Sequence, residues 1–179
     1  MTPGALTRLL EVNRLITSTL DVKALLRIIM EQVQTVANAE ASSLMLLDEA
    51  RQELVFDVAL GEKGESVKSI RVKVGEGIAG TVARDGVPIL VKDAGSDSRW
   101  SRRADDKSGF KTRTILCVPL AARGRLIGVM QALNRRDGRP FSEAEDLPIL
   151  EAFAAQAAIA IENARLFEGL KEERDKLQA

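Results

Sequence analysis

The chain has 179 residues, 45% of them apolar and 29% charged, which suits one ordinary domain with a buried core. Its 26 basic and 26 acidic residues cancel, so no net basic field exists to hold nucleic acid or an anionic membrane, and no apolar run is long enough to span a bilayer. The sequence has no His, no Tyr and one Cys, which excludes Ser–His and Cys–His nucleophile pairs, a Cys/His zinc site and an internal disulfide. The lone thiol fits a reducing, cytoplasmic setting. Residues 1–20 lack the charged and apolar regions of a signal peptide.

Residues 5–20 read as a helix. Leu6, Leu9, Asn13, Ile16 and Leu20 recur at steps of three and four, a heptad seam with one polar position. Asp21 is placed to cap a second helix over 22–38, with Leu25, Ile28, Ile29, Gln32, Val33 and Val36 on its mostly apolar face. Residues 43–48 form a near-continuous apolar run, as in a central buried strand. A polar turn at 49–52 joins it to a second strand at 53–60, which predicts an antiparallel hairpin. Residues 69–74 alternate polar and apolar, so one face of that strand is solvated.

The run Gly75-Glu76-Gly77-Ile78-Ala79-Gly80 opens a short helix that Gly86 ends, and 88–92 is a short edge strand with Pro at its start. Residues 94–113 are polar and highly charged and hold the only Trp, Trp100. So long an irregular segment in a small domain reads as a binding loop or lid with room for a short helix. Strands at 114–121 and 126–134 pair across a turn at 122–125. The last helix begins near Ser142, where Ser142 and Glu145 form a capping box, and Pro148 kinks or loosens its start. Leu166, Leu170 and Leu177 continue this helix among charges, as if it leaves the domain toward a partner. Strands joined as hairpins and flanked by helices make an α+β fold, one antiparallel sheet with helices packed on it.

Three features invite chemistry. The spacing G-x-G-x-x-G at 75–80 does not signal a dinucleotide site, because the five residues before Gly86 are too few for a parallel crossover. It is a tight turn that lets helix and sheet approach, or an anion site in which the Ile78 and Ala79 N–H groups face outward at a helix N-terminus, and the two are compatible. The pair Asp105-Asp106 lacks a third carboxylate at metal spacing, so it belongs to a solvated charged loop rather than a metal centre. Cys117 lies on an apolar strand and reads as a small core hydrophobe.

Taken together, Gly77-Ile78-Ala79-Gly80, the run Asp105-Asp106-Lys107-Ser108 through Pro119-Leu120, Leu126-Ile127-Gly128-Val129, and Asn134-Arg135 followed by Phe141 resemble GAF domains. The resemblance covers nearly all of 21–165, with several separated motifs in the right order. It is closest to the GAF domains of cyclic-nucleotide phosphodiesterases and of bacterial adenylyl cyclases and sensor proteins. The family signature N-K-x-F-x-x-x-D-E stands here as Asn134-Arg135, a longer gap, Phe141, then Glu145-Asp146, with Arg for Lys and the two acids swapped. In the family the basic residue and an acid form an ion pair behind the pocket. By resemblance Arg135 pairs with Glu145, unless Glu145 serves the capping box instead.

The resemblance also implies a ligand site. Ser43 matches a first-strand serine that faces the base, and Ile78 and Ala79 match the helix start that meets a cyclic phosphate. Asp105, Ser108 and Thr112 match lid residues that close over the nucleotide. A last-strand acid is replaced by Gln131, and the second-strand position that reads guanine through an acid holds Leu60, which favours cyclic AMP over cyclic GMP. A bilin, a haem and the multi-cysteine chemistry of the methionine-sulfoxide-reducing members do not fit a chain with no His and one Cys. The expectation is a regulatory, non-enzymatic sensor, or a dimerising scaffold without a ligand. Residues 1–20 form a signalling and dimerisation helix, 21–165 the GAF domain, and 166–179 a helix leading to a partner or output domain. The expected assembly is a parallel homodimer through the end helices; in the alternative, 5–20 pack on the sheet of their own chain.

Overall fold

The computed structural model describes residues 2–18 and 21–178. Helix α1 spans Pro3–Ser18, two residues earlier than the heptad pattern suggests. Thr2 caps it, its hydroxyl accepting from the Ala5 N–H at 3.1 Å, and Pro3 occupies the first helical position, where its missing N–H costs nothing. Helix α2 spans Val22–Val36 and starts at Asp21, whose side chain accepts from the Ala24 N–H. Its buried face is Leu25, Leu26, Ile29, Met30 and Val33, which adds Leu26 and Met30 to the face predicted and leaves Ile28, Gln32 and Val36 half-buried. Strand β1 (Ala39–Asp48) begins four residues before the apolar run, and β2 (Glu53–Leu60) follows as its hairpin partner.

Helix α3 (Gly64–Val67), a single turn, precedes β3 (Arg71–Lys73). Helix α4 (Gly77–Asp85) ends at Gly86, whose φ of 68° is the left-handed cap that its position called for. Then come β4 (Ile89–Val91), α5 (Arg103–Ser108), β5 (Ile115–Ala122), β6 (Arg125–Arg135) and α6 (Asp146–Gln178). Between β5 and β6 the turn is only Arg123-Gly124, both with positive φ, the mirror-image turn that fits strand twist.

The six strands form one sheet in the order β3-β2-β1-β6-β5-β4, and every pairing is antiparallel. One face carries α1, α2 and α6 over a core that includes Ile29, Met30, Leu116, Leu150 and Phe153. The other carries α4 over Met45, Ile78, Val82, Cys117 and Val129. The segment from β4 to β5, with α5 inside it, covers the rest of that second face.

Helix α1 packs on α2 and α6 of its own chain rather than on the sheet, because those two helices already cover that face. Ala5 is buried there and Leu9 packs against the core, whereas Leu6 and Leu10 are exposed. The seam therefore does not present one free face: Leu9 is taken up within the chain and Leu6 is not. Leu20, and the side chains of Asn13 and Ile16, lie outside the described residues. From residue 165 onward α6 has no buried position.

The start of α6 corrects two expectations. Regular helix begins at Asp146, and Pro148 sits in its first turn, where a missing N–H is tolerated. Ser142 still caps the helix by accepting from the Glu145 N–H at 3.1 Å. The acid that returns the bond to the Ser142 N–H is Asp146, at 2.6 Å, not Glu145. Arg135 also meets Asp146, at 2.9 Å, with Asp137 on its other side. The reason is burial: Asp146 is 5% exposed beneath the β6 end, whereas Glu145 points to solvent. Phe141, 2% exposed, fills the core just ahead of this turn.

Phe153 is the largest fully buried side chain of the helical face. Phe153→Ala is expected to cost about 3–5 kcal/mol of unfolding free energy, as large-to-small core changes do, read from the midpoint shift in urea at constant slope.

Candidate functional site

The sheet face shared with α4 holds a pocket between β1, β2, β6, α3, α4 and the 94–113 segment. Its interior leaves about 130 Å³ for the centres of water molecules. Met45, Phe56, Ile70, Val72, Ile115 and Leu133 make the walls apolar, and Lys63 and Arg103 supply charge at the edge. All seven residues singled out as ligand contacts line it: Ser43, Ile78, Ala79, Asp105, Ser108, Thr112 and Gln131.

Strand alternation places the floor. Ser42 and Ser43 are neighbours on β1 and face opposite ways. The Ser42 hydroxyl donates to the Met30 carbonyl of α2 at 3.2 Å. Ser43 faces the pocket opposite Gln131 of β6. It is 4% exposed, and its Oγ, buried from solvent, has no hydrogen-bond partner. Buried hydroxyls are normally satisfied, so an orphan in a cavity wall is a polar contact waiting for one. Ala59 and Leu60 of β2 line the same wall, which gives that wall no carboxylate.

The glycine-rich turn does what close approach requires. A Cβ on Gly80 would stand 2.4 Å from the Lys73 carbonyl oxygen, and the Gly75 N–H donates to the Gly80 carbonyl at 2.7 Å. At the start of α4 the cap position holds Glu76, whose side chain makes no capping bond. Glu76 instead accepts from the Lys73 N–H at 3.2 Å and from Arg103 of α5 at 2.5 Å. Burial pushes its carboxyl up, but those bonds and the Arg103 and Lys73 charges outweigh it and hold the pKa below its ordinary 4.5.

The lid is built on local bonds. Asp105 accepts from the Thr112 N–H at 2.8 Å and from its hydroxyl at 2.7 Å. The Ser108 hydroxyl donates to the Ala104 carbonyl and accepts from the Phe110 N–H. Asp105, Ser108 and Thr112 thus line the pocket while bonded within the lid. Arg103 and Lys107 fasten α5 to the rim, Arg103 to Glu76 and the Arg71 carbonyl, Lys107 to the Ser69 hydroxyl. Trp100 lines the pocket from the lid with Arg102 stacked on its ring, 5.4 Å from the centroid. Helix α3, Lys63 and Arg103 were not anticipated as parts of the site. Their only signal was position, since α3 is too short to show periodicity.

Cys117 is fully buried on β5, and burial alone pushes its thiol far above the usual range, so it is protonated and poorly nucleophilic. Among the described residues no three acidic or thiol groups converge as a metal site, and no helix is long and apolar enough to cross a membrane.

The sequence profile described as "GAF domain" matches residues 21–161. A curated relative, the probable 3′,5′-cyclic phosphodiesterase pde-5 of Caenorhabditis elegans, is 33% identical over 157 residues, 83% of this chain. The chain spans only 21% of that protein's length. Among solved structures, the GAF domain of an Acinetobacter phosphoenolpyruvate-protein phosphotransferase superposes with a TM-score of 0.79 at 24% identity, covering 94% of this chain and 99% of that one. The free methionine-R-sulfoxide reductase of Neisseria meningitidis, solved with its substrate, superposes with a TM-score of 0.75 at 21% identity, covering 93% and 95%. At such identities these structures speak for the fold alone.

Because the folded pKa of Glu76 is depressed, its tie to Arg103 is complete above the ordinary carboxylate range and is lost as pH falls through the lowered value. Trp100 emission is expected to change below pH 4.5 in the parent. In Glu76→Gln that step is expected to shrink, with the neutral-pH spectrum already moved toward the acid one. Identical titration curves for the two proteins would show that this latch does not hold the lid.

Proposed function

The chain belongs to the GAF domain family, and on that premise we propose that it is a regulatory sensor whose pocket takes a cyclic nucleotide, cyclic AMP in preference to cyclic GMP. The observation that carries this is the orphan Ser43 Oγ in the pocket floor. Beside it Gln131 offers an amide that both donates and accepts, as the edge of an adenine requires. The opening N–H groups of α4, with no side-chain cap, and Lys63 at the wall suit an anionic group. Ala59 and Leu60 supply no acid for guanine. The name of the curated relative, a cyclic phosphodiesterase, agrees with this ligand class.

We read the pocket as regulatory rather than catalytic. The fold also serves a reductase, but this chain has no His and its only Cys is buried with a raised pKa. Relay is assigned to the end helices in a cytoplasmic homodimer. Leu6 and Leu10 on α1, and Leu166, Phe167, Leu170 and Leu177 on α6, are exposed. A solitary projecting helix of this length is marginal in water. A second reading, a scaffold without a ligand, draws support from the Asp105–Thr112 clasp, which satisfies those lid groups within the chain.

Titration with cyclic AMP is expected to shift Trp100 emission saturably and raise the melting temperature. Ser43→Ala is expected to weaken that binding by about 0.5–1.5 kcal/mol, one hydrogen bond, while leaving the free protein as stable as before or more so, since an unsatisfied group is removed. If cyclic AMP, cyclic GMP, cyclic dinucleotides and common purine nucleotides at millimolar concentration change neither signal, the scaffold reading stands. For the dimer, sedimentation at micromolar concentration should show two copies in the intact chain and fewer after removal of residues 1–20; a monomer in both sinks it.

A further inference from the structure

Asn134 stands at the end of β6, just where the 94–113 segment returns to the sheet. It is 1% exposed and its backbone is left-handed, with φ 55°. Its Oδ1 accepts from the Arg113 N–H at 2.7 Å and the Thr114 N–H at 3.0 Å. Its Nδ2 donates to the Lys111 carbonyl at 2.8 Å and to Glu40 Oε2 at 3.1 Å. Both donors and both acceptor positions of the amide are used. No other side-chain type supplies two acceptors and two donors at this reach: Asp lacks the donors, and Ala lacks everything.

Three of those four partners are the backbone of the lid's root. The other root is tied to the same spot, because the Ala94 N–H donates to the Arg113 carbonyl at 2.8 Å. Thr112, the residue that Asp105 clasps, lies within the run that Asn134 holds. Asn134 itself is not among the residues lining the pocket. Glu40, at the start of β1, completes the post: its other oxygen accepts from the Arg113 guanidinium at 2.9 Å. The next two residues reach elsewhere, Arg135 to Asp146 of α6 and Arg136, just past β6, to the Ala39 carbonyl at the start of β1.

We propose that Asn134 is a positioning residue for the lid: it fixes the root at 111–114 against Glu40 and so sets where the Asp105–Thr112 clasp closes over the pocket. Its effect on affinity rests on the ligand reading above, but its effect on the lid does not.

Hydrogen exchange of the whole chain, with acrylamide quenching of Trp100, tests it without any ligand. Asn134→Asp keeps the acceptor oxygens but loses both donors and sets a carboxylate against Glu40. Exchange over 103–114 is expected to rise about two- to tenfold, since of the two donated bonds one, at the Lys111 carbonyl, holds the lid root, with β1 and β6 unchanged. Adding Glu40→Gln gives the new carboxylate an amide donor, and the double variant is expected to regain part of the lid's protection. A merely structural role predicts faster exchange throughout the sheet and no rescue, and that result overturns the proposal, as does an unchanged lid. Should Asn134→Asp not fold, Glu40→Ala, which removes both acceptor oxygens of the post, decides: faster exchange at 111–114 supports the post, and no change overturns it. In a parallel titration, cyclic AMP that binds the parent should bind Asn134→Asp more weakly. If it does not bind the parent, the ligand reading fails while the exchange result still judges Asn134.

Discussion

The antiparallel pairing of β1 with β6 through the middle of the sheet governs both faces of this molecule. Its register sets Ser43 opposite Gln131 and Ser42 opposite Ala132. Side chains alternate along a strand, so that register sends the Ser42 hydroxyl into the helical layer, where Met30 satisfies it, and Ser43 into the pocket, where nothing does. A slip of one residue would exchange the two sets and bury the wrong one. The same pairing puts Met45 and Val129 beneath α4 and Leu44 and Met130 beneath α2 and α6. Pocket and helical core are therefore two sides of one hydrogen-bonded ladder.

At the end of β6 that ladder becomes a junction. Asn134 holds the lid root, Arg135 holds the first turn of α6 through Asp146, and Arg136 holds the backbone where α2 passes into β1. Three adjacent residues thus join the cover of the pocket to the helix that runs 33 residues and projects beyond the domain. A fixed spacing between the cover of the pocket and α6 needs a rigid element with a foot in each, and the fold provides one here. Of the Arg135 pairs, that with Asp137 is partly exposed, whereas that with Asp146 sets a largely buried carboxylate against the guanidinium, so breaking the second would leave a buried charge unpaired.

Membership of the GAF family narrows the chemistry without naming it. The same fold, superposed over nearly the whole chain, serves the domain of a phosphotransferase and a reductase that acts on a small sulfoxide. Function on such a scaffold resides in the pocket. Here the pocket offers an apolar wall, one orphan hydroxyl, one amide and a helix start whose cap residue is turned aside to Arg103. The one thiol is not among the lining residues and is buried and protonated.

Much of this was legible in the sequence because it is written in local chemistry. Asp21 capping α2, Gly86 ending α4, the strand pairs, and the separated motifs around 77–80, 105–120 and 126–141 follow from capping, turn and alternation rules that act over a few residues. The seven candidate contacts were named from family resemblance rather than spacing, and the structure brings all seven to the wall of one pocket. What the sequence did not disclose depends on which of several equivalent groups is buried. Glu145 and Asp146 are adjacent acids, and only the approach of β6 to the α6 start selects Asp146 as partner of both Arg135 and the Ser142 N–H. Likewise Asp105 and Thr112 are seven residues apart, and only the fold of the lid sets them against each other. Helix α3 is one turn long and carries no periodic signal, and α1 settles on α2 and α6 with Ala5 buried and Leu9 packed against the core. Local propensity and pattern decided the elements and their order. Tertiary packing decided the partners, because burial removes water as the competing partner and leaves each polar group only the neighbours the fold supplies.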